Sequence, residues 1–280
     1  MLINLKEILV IAEKNNYAIG AFNTPNLESI MAVIHAAERY NVPVVIMHAE
    51  IHEGIMPLDI IGPIMVDMAR KSSVPVCVHL DHGENLDYLK NSLDLGFSSV
   101  MYDGSALSYA DNVANTCKVV KMAQQYSASV EAEIGILKGR EGGSEGVVGS
   151  PALYTDPVMA GQFARDTDID ALACSFGTAH GFYKSAPKLD FERIKAIRSL
   201  TNLPLVMHGG SGVVTSDYVK SIDIGIRKIN YYSYMSLAGV EGINKLLVSS
   251  EVRFFHDLSV AATNSMMTDV QKALKIFYRL

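Results

Sequence analysis

The feature that most constrains this chain is a recurrence. Short β-rich apolar runs alternate with longer helical patterns along its whole length. The runs are Ala18–Phe22, Val44–His48, Val76–Leu80, Ser99–Tyr102, Ser129–Glu133, Ala171–Cys174, Leu205–His208 and Lys228–Asn230. Several are uninterrupted hydrophobic stretches, as parallel strands covered on both faces require. Helical periodicity lies between them, over Leu27–Tyr40, Leu86–Leu95, Asn112–Tyr126, Pro157–Asp166 and Phe191–Leu200. Eight βα units at this spacing predict an α/β protein, a closed (β/α)8 TIM barrel. The competing architecture is an open doubly wound sheet, but no GxGxxG follows the first run. No linker rich in Pro, Gly or Ser divides the 280 residues, so residues 1–280 are expected to form a single domain.

Composition narrows the class of partner. Nearly half the residues are hydrophobic and about a fifth are charged, enough to bury a large core. The formal charge is -6 and no basic run occurs, which argues against nucleic-acid binding. An anionic substrate would therefore need a local nest of backbone N–H groups. The three cysteines, Cys77, Cys117 and Cys174, form no CxxC pair, which suits a reducing, cytoplasmic setting. The first residues read as a short amphipathic helix and lack the basic start and cleavage site of a signal peptide. No apolar stretch is long enough to span a bilayer.

Barrel enzymes carry their chemistry at the C-terminal ends of the strands. His82 lies just after the third run, His180 in the loop after the sixth, and His208 at the end of the seventh. Each is followed by a glycine (Gly83, Gly181, Gly209), which permits close backbone approach to a ligand. One such histidine is ordinarily a satisfied polar residue. Three at strand ends would converge above one barrel mouth, and three neutral imidazoles with an open position form a catalytic zinc arrangement. Asp81, on the same strand end as His82, is either an acid/base group or a carboxylate that orients a histidine. His79 is read as structural.

Two further stretches suit a phosphate. Gly209-Gly210-Ser211-Gly212 follows the seventh strand and Asn230-Tyr231-Tyr232-Ser233 follows the eighth. Barrel phosphate sites are commonly built there from backbone N–H groups and a helix N-terminus. The segment from Gly135 to Ser150, rich in glycine and carrying Glu141 and Glu145, is either a solvated loop or a lid over the mouth.

These motifs together resemble the class II, metal-dependent ketose-bisphosphate aldolases. The resemblance runs from YAIGAFNTPNLE (Tyr17–Glu28) through VPVCVHLDHG, GFSSVMYDGS, SVEAEIG, GTAHGFY and LPLVMHGGSG to KIN at Lys228–Asn230. It implies a carbon–carbon lyase acting on a sugar phosphate, with fructose or tagatose 1,6-bisphosphate as the expected substrate. It implies Zn2+ on His82, His180 and His208, and Asp81 as proton donor in condensation and base in cleavage. Asn23, Gly181, Gly209, Gly210, Ser211, Asn230, Tyr231, Tyr232 and Ser233 would bind substrate or its phosphate, with Na+ or K+ assisting in some members. Glu141 would exchange the C1 proton of dihydroxyacetone phosphate, with Glu145 as the fallback. Asp103 and Glu133 would back the metal or offer it a second position. A homodimer or homotetramer is implied as well.

The chain departs from the family at three places. Tyr231-Tyr232-Ser233 replaces the usual Val-Ala/Asp-Thr, Ala49 stands near a usual Ser or Thr, and GREGGSEG replaces Gly-Gly-x-Glu-Asp. Three other readings fit parts of this pattern: an aldolase for a different ketose 1-phosphate or deoxy-keto sugar phosphate, a zinc barrel hydrolase, and a non-catalytic sugar-phosphate-binding paralogue. The hydrolase lacks its HxH after the first strand. The intact Asp81 and three histidines argue against the paralogue.

Overall fold

The computed structural model of the protein describes residues 1–135, 153–249 and 251–280. Eight strands, β1 (Ile19–Asn23), β2 (Val44–Ala49), β3 (Val76–Gly83), β4 (Ser99–Tyr102), β5 (Ser129–Ile134), β6 (Ala171–Cys174), β7 (Leu205–Met207) and β8 (Ile226–Asn230), pair in parallel in chain order. β8 returns to β1, so the expected barrel is closed. Among strand residues only His82 is even partly exposed, which explains the unbroken apolar runs.

The helices surround this barrel: α1 (Leu5–Asn15), α2 (Leu27–Tyr40), α3 (Leu58–Lys71), α4 (Leu86–Asp94), α5 (Tyr109–Gln124), α6 (Pro157–Thr167), α7 (Phe191–Thr201), α8 (Thr215–Asp223), α9 (Ser233–Ser249) and α10 (Phe255–Phe277). Local chemistry sets many of their ends. Asn4 and Glu7 form a capping box on α1, and Asn26 and Ser29 form one on α2. Asn16 and Asn41 close those helices in the left-handed region at φ 50° and 52°. Asp156 caps α6 and Pro157 occupies its first position. α3 carries Pro63 in its interior, and the periodicity above names no helix there.

α1 sits under the barrel, where the Lys6 backbone N–H donates to Ser129 Oγ at 2.9 Å, at the start of β5. α10 packs on α9 and α2. Its end seals the β1 side: Ala18 N–H donates to the Phe277 carbonyl at 3.1 Å, and Gly20 N–H to Tyr278 Oη at 3.2 Å. Among the described residues no helix is long and apolar enough to cross a membrane.

Several boundaries differ from the sequence reading. β1, β2 and β3 continue to Asn23, Ala49 and Gly83, because the ladder carries on through or past the polar Asn23, His48, Asp81 and His82, where an apolar run stops. β7 stops at Met207, so His208 lies one residue beyond it. α5 begins at Tyr109, because Ser108 caps it by accepting from Asp111 N–H at 3.2 Å.

Candidate active site

The strand ends bring His82, His180 and His208 together. One ring nitrogen from each lies within 4.8 Å of the others. The ring centroids are 4.6 to 5.9 Å apart, and the planes are close to perpendicular. His82 reaches this place through a special backbone. Its φ is 48°, and the β3–β4 register shifts between Leu80 and Gly83. A non-glycine residue held there stores roughly 1–3 kcal/mol, so the surrounding packing enforces its direction.

The outer face of two rings is fixed by carboxylates. Asp103 Oδ2 lies 2.7 Å from His82 Nδ1, and Glu131 Oε1 lies 2.9 Å from His208 Nε2. Each carboxylate accepts the proton on that nitrogen, so the other nitrogen of each ring is the one that can offer a lone pair to a metal when the ring is neutral. Those two nitrogens, His82 Nε2 and His208 Nδ1, face each other at 2.9 Å. At that distance the two nitrogens share a proton, which the raised His82 pKa favours, or give it up to a cation that takes its place. The three-imidazole donor set therefore fits zinc, with carboxylate partners behind two of its three rings.

Asp81 is fully buried beside the rings. Asn23 Nδ2 donates to its Oδ2 at 3.0 Å and Asn230 Nδ2 to its Oδ1 at 3.1 Å. Burial alone would raise its pKa, but His82, His208 and Lys228 hold it well below the usual carboxylate range. Burial likewise disfavours a charge on His82, yet Asp81 and the Asp103 bond hold its pKa well above the ordinary value.

Beneath the mouth lies a buried network that the sequence reading did not assign. Lys228 Nζ is 3.0 Å from Glu131 Oε2 and donates to Asn230 Oδ1 at 2.8 Å. His79 Nε2 is 3.8 Å from Glu131 Oε2, and its Nδ1 is 2.9 Å from Ser99 Oγ. Burial lowers the His79 pKa to about 3, so the ring is neutral. Glu131 was missed although Glu131 and Glu133 share one face of β5 by alternation. Glu133 closes a second donor group with His82 and Asp103, again within 4.8 Å. Its pKa is pushed well up, first by burial and then by the Asp103 charge.

The expected phosphate residues cluster after β7 and β8. Gly209 has φ 62°, and a Cβ there would collide with the Ala179 backbone. Gly210 N–H donates to the Asn230 carbonyl at 3.0 Å, and Tyr232 N–H to Ser211 Oγ at 3.0 Å, which ties the two loops together. Gly181 is left-handed in the His180 loop, and Ser233 opens α9. The Tyr231 side chain points elsewhere. Its hydroxyl donates to Asp269 on α10 at 3.0 Å, and its ring packs against Phe22 and Phe277. Asn230 bonds Asp81 and Lys228 and so sits at the acid. Ala49 is buried and pairs with Asp81 in register. Glu141 and Glu145 lie outside the described residues.

A closed parallel barrel with three imidazoles and a buried carboxylate at the strand ends defines a metal-dependent barrel enzyme. The model of the family described as "Fructose-bisphosphate aldolase class-II" matches residues 3–279. The chain belongs to that family, whose members are metal-dependent aldehyde-lyases. It is 38% identical over 251 residues to a fructose-bisphosphate aldolase of Staphylococcus aureus, covering 88% of this chain and 86% of that one. The fructose-bisphosphate aldolase of Geobacillus stearothermophilus gives the same identity and coverage. Among solved structures, the YdjI aldolase of Escherichia coli K12 superposes with a TM-score of 0.88 at 31% identity, over 99% of this chain and 97% of that one.

Proposed function

We propose that the protein reversibly cleaves a ketose phosphate, fructose or tagatose 1,6-bisphosphate or a near relative, to dihydroxyacetone phosphate and an aldehyde. The observation that carries this reading is the convergence of three imidazole nitrogens beside an ionised, amide-clamped Asp81. In it His82, His180 and His208 hold Zn2+, with Asp103 and Glu131 behind two of them. When bound, the metal supplies Lewis-acid stabilisation of the negative charge that develops at the ketone oxygen.

The chain's own groups do the rest. In cleavage, Asp81 takes the proton of the C4 hydroxyl as the C3–C4 bond breaks. The C4 carbon becomes the aldehyde carbonyl, and the bonding pair stays on the dihydroxyacetone phosphate half as an enediolate. A base must be ionised to do this, and the environment of Asp81 keeps it so. Glu141 returns a proton to the former C3 carbon, which is C1 of the released dihydroxyacetone phosphate, with Glu145 as the second choice. Gly181, Gly209, Gly210, Ser211, Tyr232 and Ser233 bind the phosphate, aided by backbone N–H groups, the α9 N-terminus and a monovalent cation (Na+ or K+). Tyr231 contributes through its backbone position. A remote phosphate anchor orients the reacting carbon atoms and lowers the entropy cost of the step. Asn23 and Asn230 aim Asp81. The same reading carries a homodimer or homotetramer, a cytoplasmic location and a one-domain chain.

The test is release of dihydroxyacetone phosphate. Zinc-loaded protein should release it from a ketose bisphosphate, EDTA should abolish the release, and added zinc should restore it. No release from any of a panel of ketose mono- and bisphosphates would refute the reading.

A further inference from the structure

We propose that His52 recognises the aldehyde half of the substrate through a hydrogen bond between its buried Nδ1 and a hydroxyl on that half. The proposal rests on the aldolase reading above.

His52 ends a 3-10 turn, Glu50–His52, that follows Ala49 at the top of β2. The turn is fastened to the end of β3: Glu50 Oε2 accepts from the backbone N–H of Glu84 at 2.8 Å and of Asn85 at 3.3 Å. The next residue is also tied, since Glu53 Oε2 accepts from Leu58 N–H at 2.9 Å and from the Tyr88 hydroxyl at 2.7 Å. His52 is 2% exposed. Its ring centroid lies 5.5 Å from that of Tyr232, just after β8, and 6.2 Å from that of His48. The ring therefore bridges the tops of β2 and β8 across β1. This is the corner where Asn23 and Asn230 grip Asp81, and the Asp81 charge acts on His52.

Its Nδ1 has no hydrogen-bond partner. A buried polar atom left unsatisfied is destabilising, a penalty that a ligand hydroxyl at that spot would remove. Burial lowers the His52 pKa, so the group offered is a neutral ring, suited to a hydroxyl more than to an anion. His48 has an unpartnered Nδ1 as well, but its ring is turned away from the mouth. Tyr88 gives its one proton to Glu53, so His48 Nε2–H donates to Tyr88 Oη at 3.0 Å. His48 also pairs with Leu80, and Ala49 with Asp81, so His48 faces away from the barrel interior.

Two family departures meet at this ring. Ala49 offers only a methyl group where the resembling sequences carry a hydroxyl, and Tyr232 replaces a small residue. His52 stands three positions after the one and packs on the other, and it supplies the polar atom that Ala49 lacks.

The experiment runs the reaction in the condensation direction, with dihydroxyacetone phosphate and either glycolaldehyde or acetaldehyde, which differ by one hydroxyl. His52→Ala should raise KM for glycolaldehyde about tenfold, the value of one neutral hydrogen bond. It should leave KM for acetaldehyde and the C1 proton exchange of dihydroxyacetone phosphate in deuterated water unchanged. His52→Asn keeps a polar atom at the Nδ1 position and should recover most of the loss, while His52→Gln should not. Equal KM changes for both aldehydes, no change for either, or a parent enzyme that condenses neither would overturn the proposal. Absence of C1 exchange in the zinc-loaded parent would instead remove the aldolase reading, and the His52 proposal with it.

Discussion

Removing either half of the Glu131–Lys228 pair should destabilise the barrel far more than removing both. The pair is 3.0 Å apart with both side chains fully buried. At an effective dielectric of about 20, two such charges attract by about 5 kcal/mol. Desolvation of both charges offsets much of this, so the net value of the intact pair is small. The single variants behave differently. Lys228→Met leaves a buried carboxylate with only His208 and His79 beside it, and Glu131→Gln leaves Lys228 bonded to Asn230 Oδ1 with the Asp81 charge as its remaining counter-ion. An uncompensated buried charge costs roughly 3–5 kcal/mol, a drop in midpoint on the order of 10 °C for a chain of this size. The double variant is neutral and should fall short of the summed single costs by several kcal/mol. Urea unfolding in EDTA, followed by far-UV circular dichroism because the chain has no tryptophan, reads all four proteins without interference from metal release. Single costs below about 1 kcal/mol, or an additive double variant, would refute the claim that this is a coupled ion pair.

Other consequences are open to direct measurement. Asp81→Asn should suppress cleavage severely while zinc content, read by atomic emission, is retained; loss of the metal would make Asp81 structural. Glu141→Ala should impair C1 proton exchange of dihydroxyacetone phosphate more than Glu145→Ala, and the reverse order would move the base to Glu145. Burial lowers the His48 pKa from 6.5 to about 4. The unfolded chain then binds the extra proton first, so stability is full above about pH 6.5 and falls as the pH drops through about 4, by roughly 3 kcal/mol. A His48→Phe variant should show a flatter acid limb in urea midpoints, and an unchanged slope would discard this assignment.

Much of the architecture was legible because parallel strands write themselves as apolar runs. The eight runs match the eight strands, and the three histidines occupy the ends they were expected to occupy. What escaped has physical causes. The strand ends that carry Asn23 and His82 are polar at the mouth, so an apolar-run criterion stops short of them, and Ala49 lies beyond the polar His48. Glu131 looks like an ordinary charge in a strand until the barrel closes and places it opposite Lys228. The period-two spacing of Glu131 and Glu133 in a strand otherwise apolar was the signal that both point inward. α3 was hidden by Gly62-Pro63, where packing of Leu58, Ile61, Met65 and Val66 overrides propensity. His52 carries no sequence signal, since its position depends on a 3-10 turn and on Tyr232 from the far end of the chain.

The two amides that grip Asp81 come from opposite ends of the barrel's chain order. Asn23 lies on β1 and Asn230 on β8, and those strands meet only where the ring closes. That seam joins residues some two hundred positions apart, a long-range search that folding makes slowly. We predict that this pairing forms late, so that the carboxylate is aimed only once the ring has closed. During refolding, native-like strand content can return while the seam is still open, and turnover will lag behind it. Recovered activity is in this sense a clock for ring closure, and a population that regains its spectrum without its turnover is one whose first and last strands have not yet met.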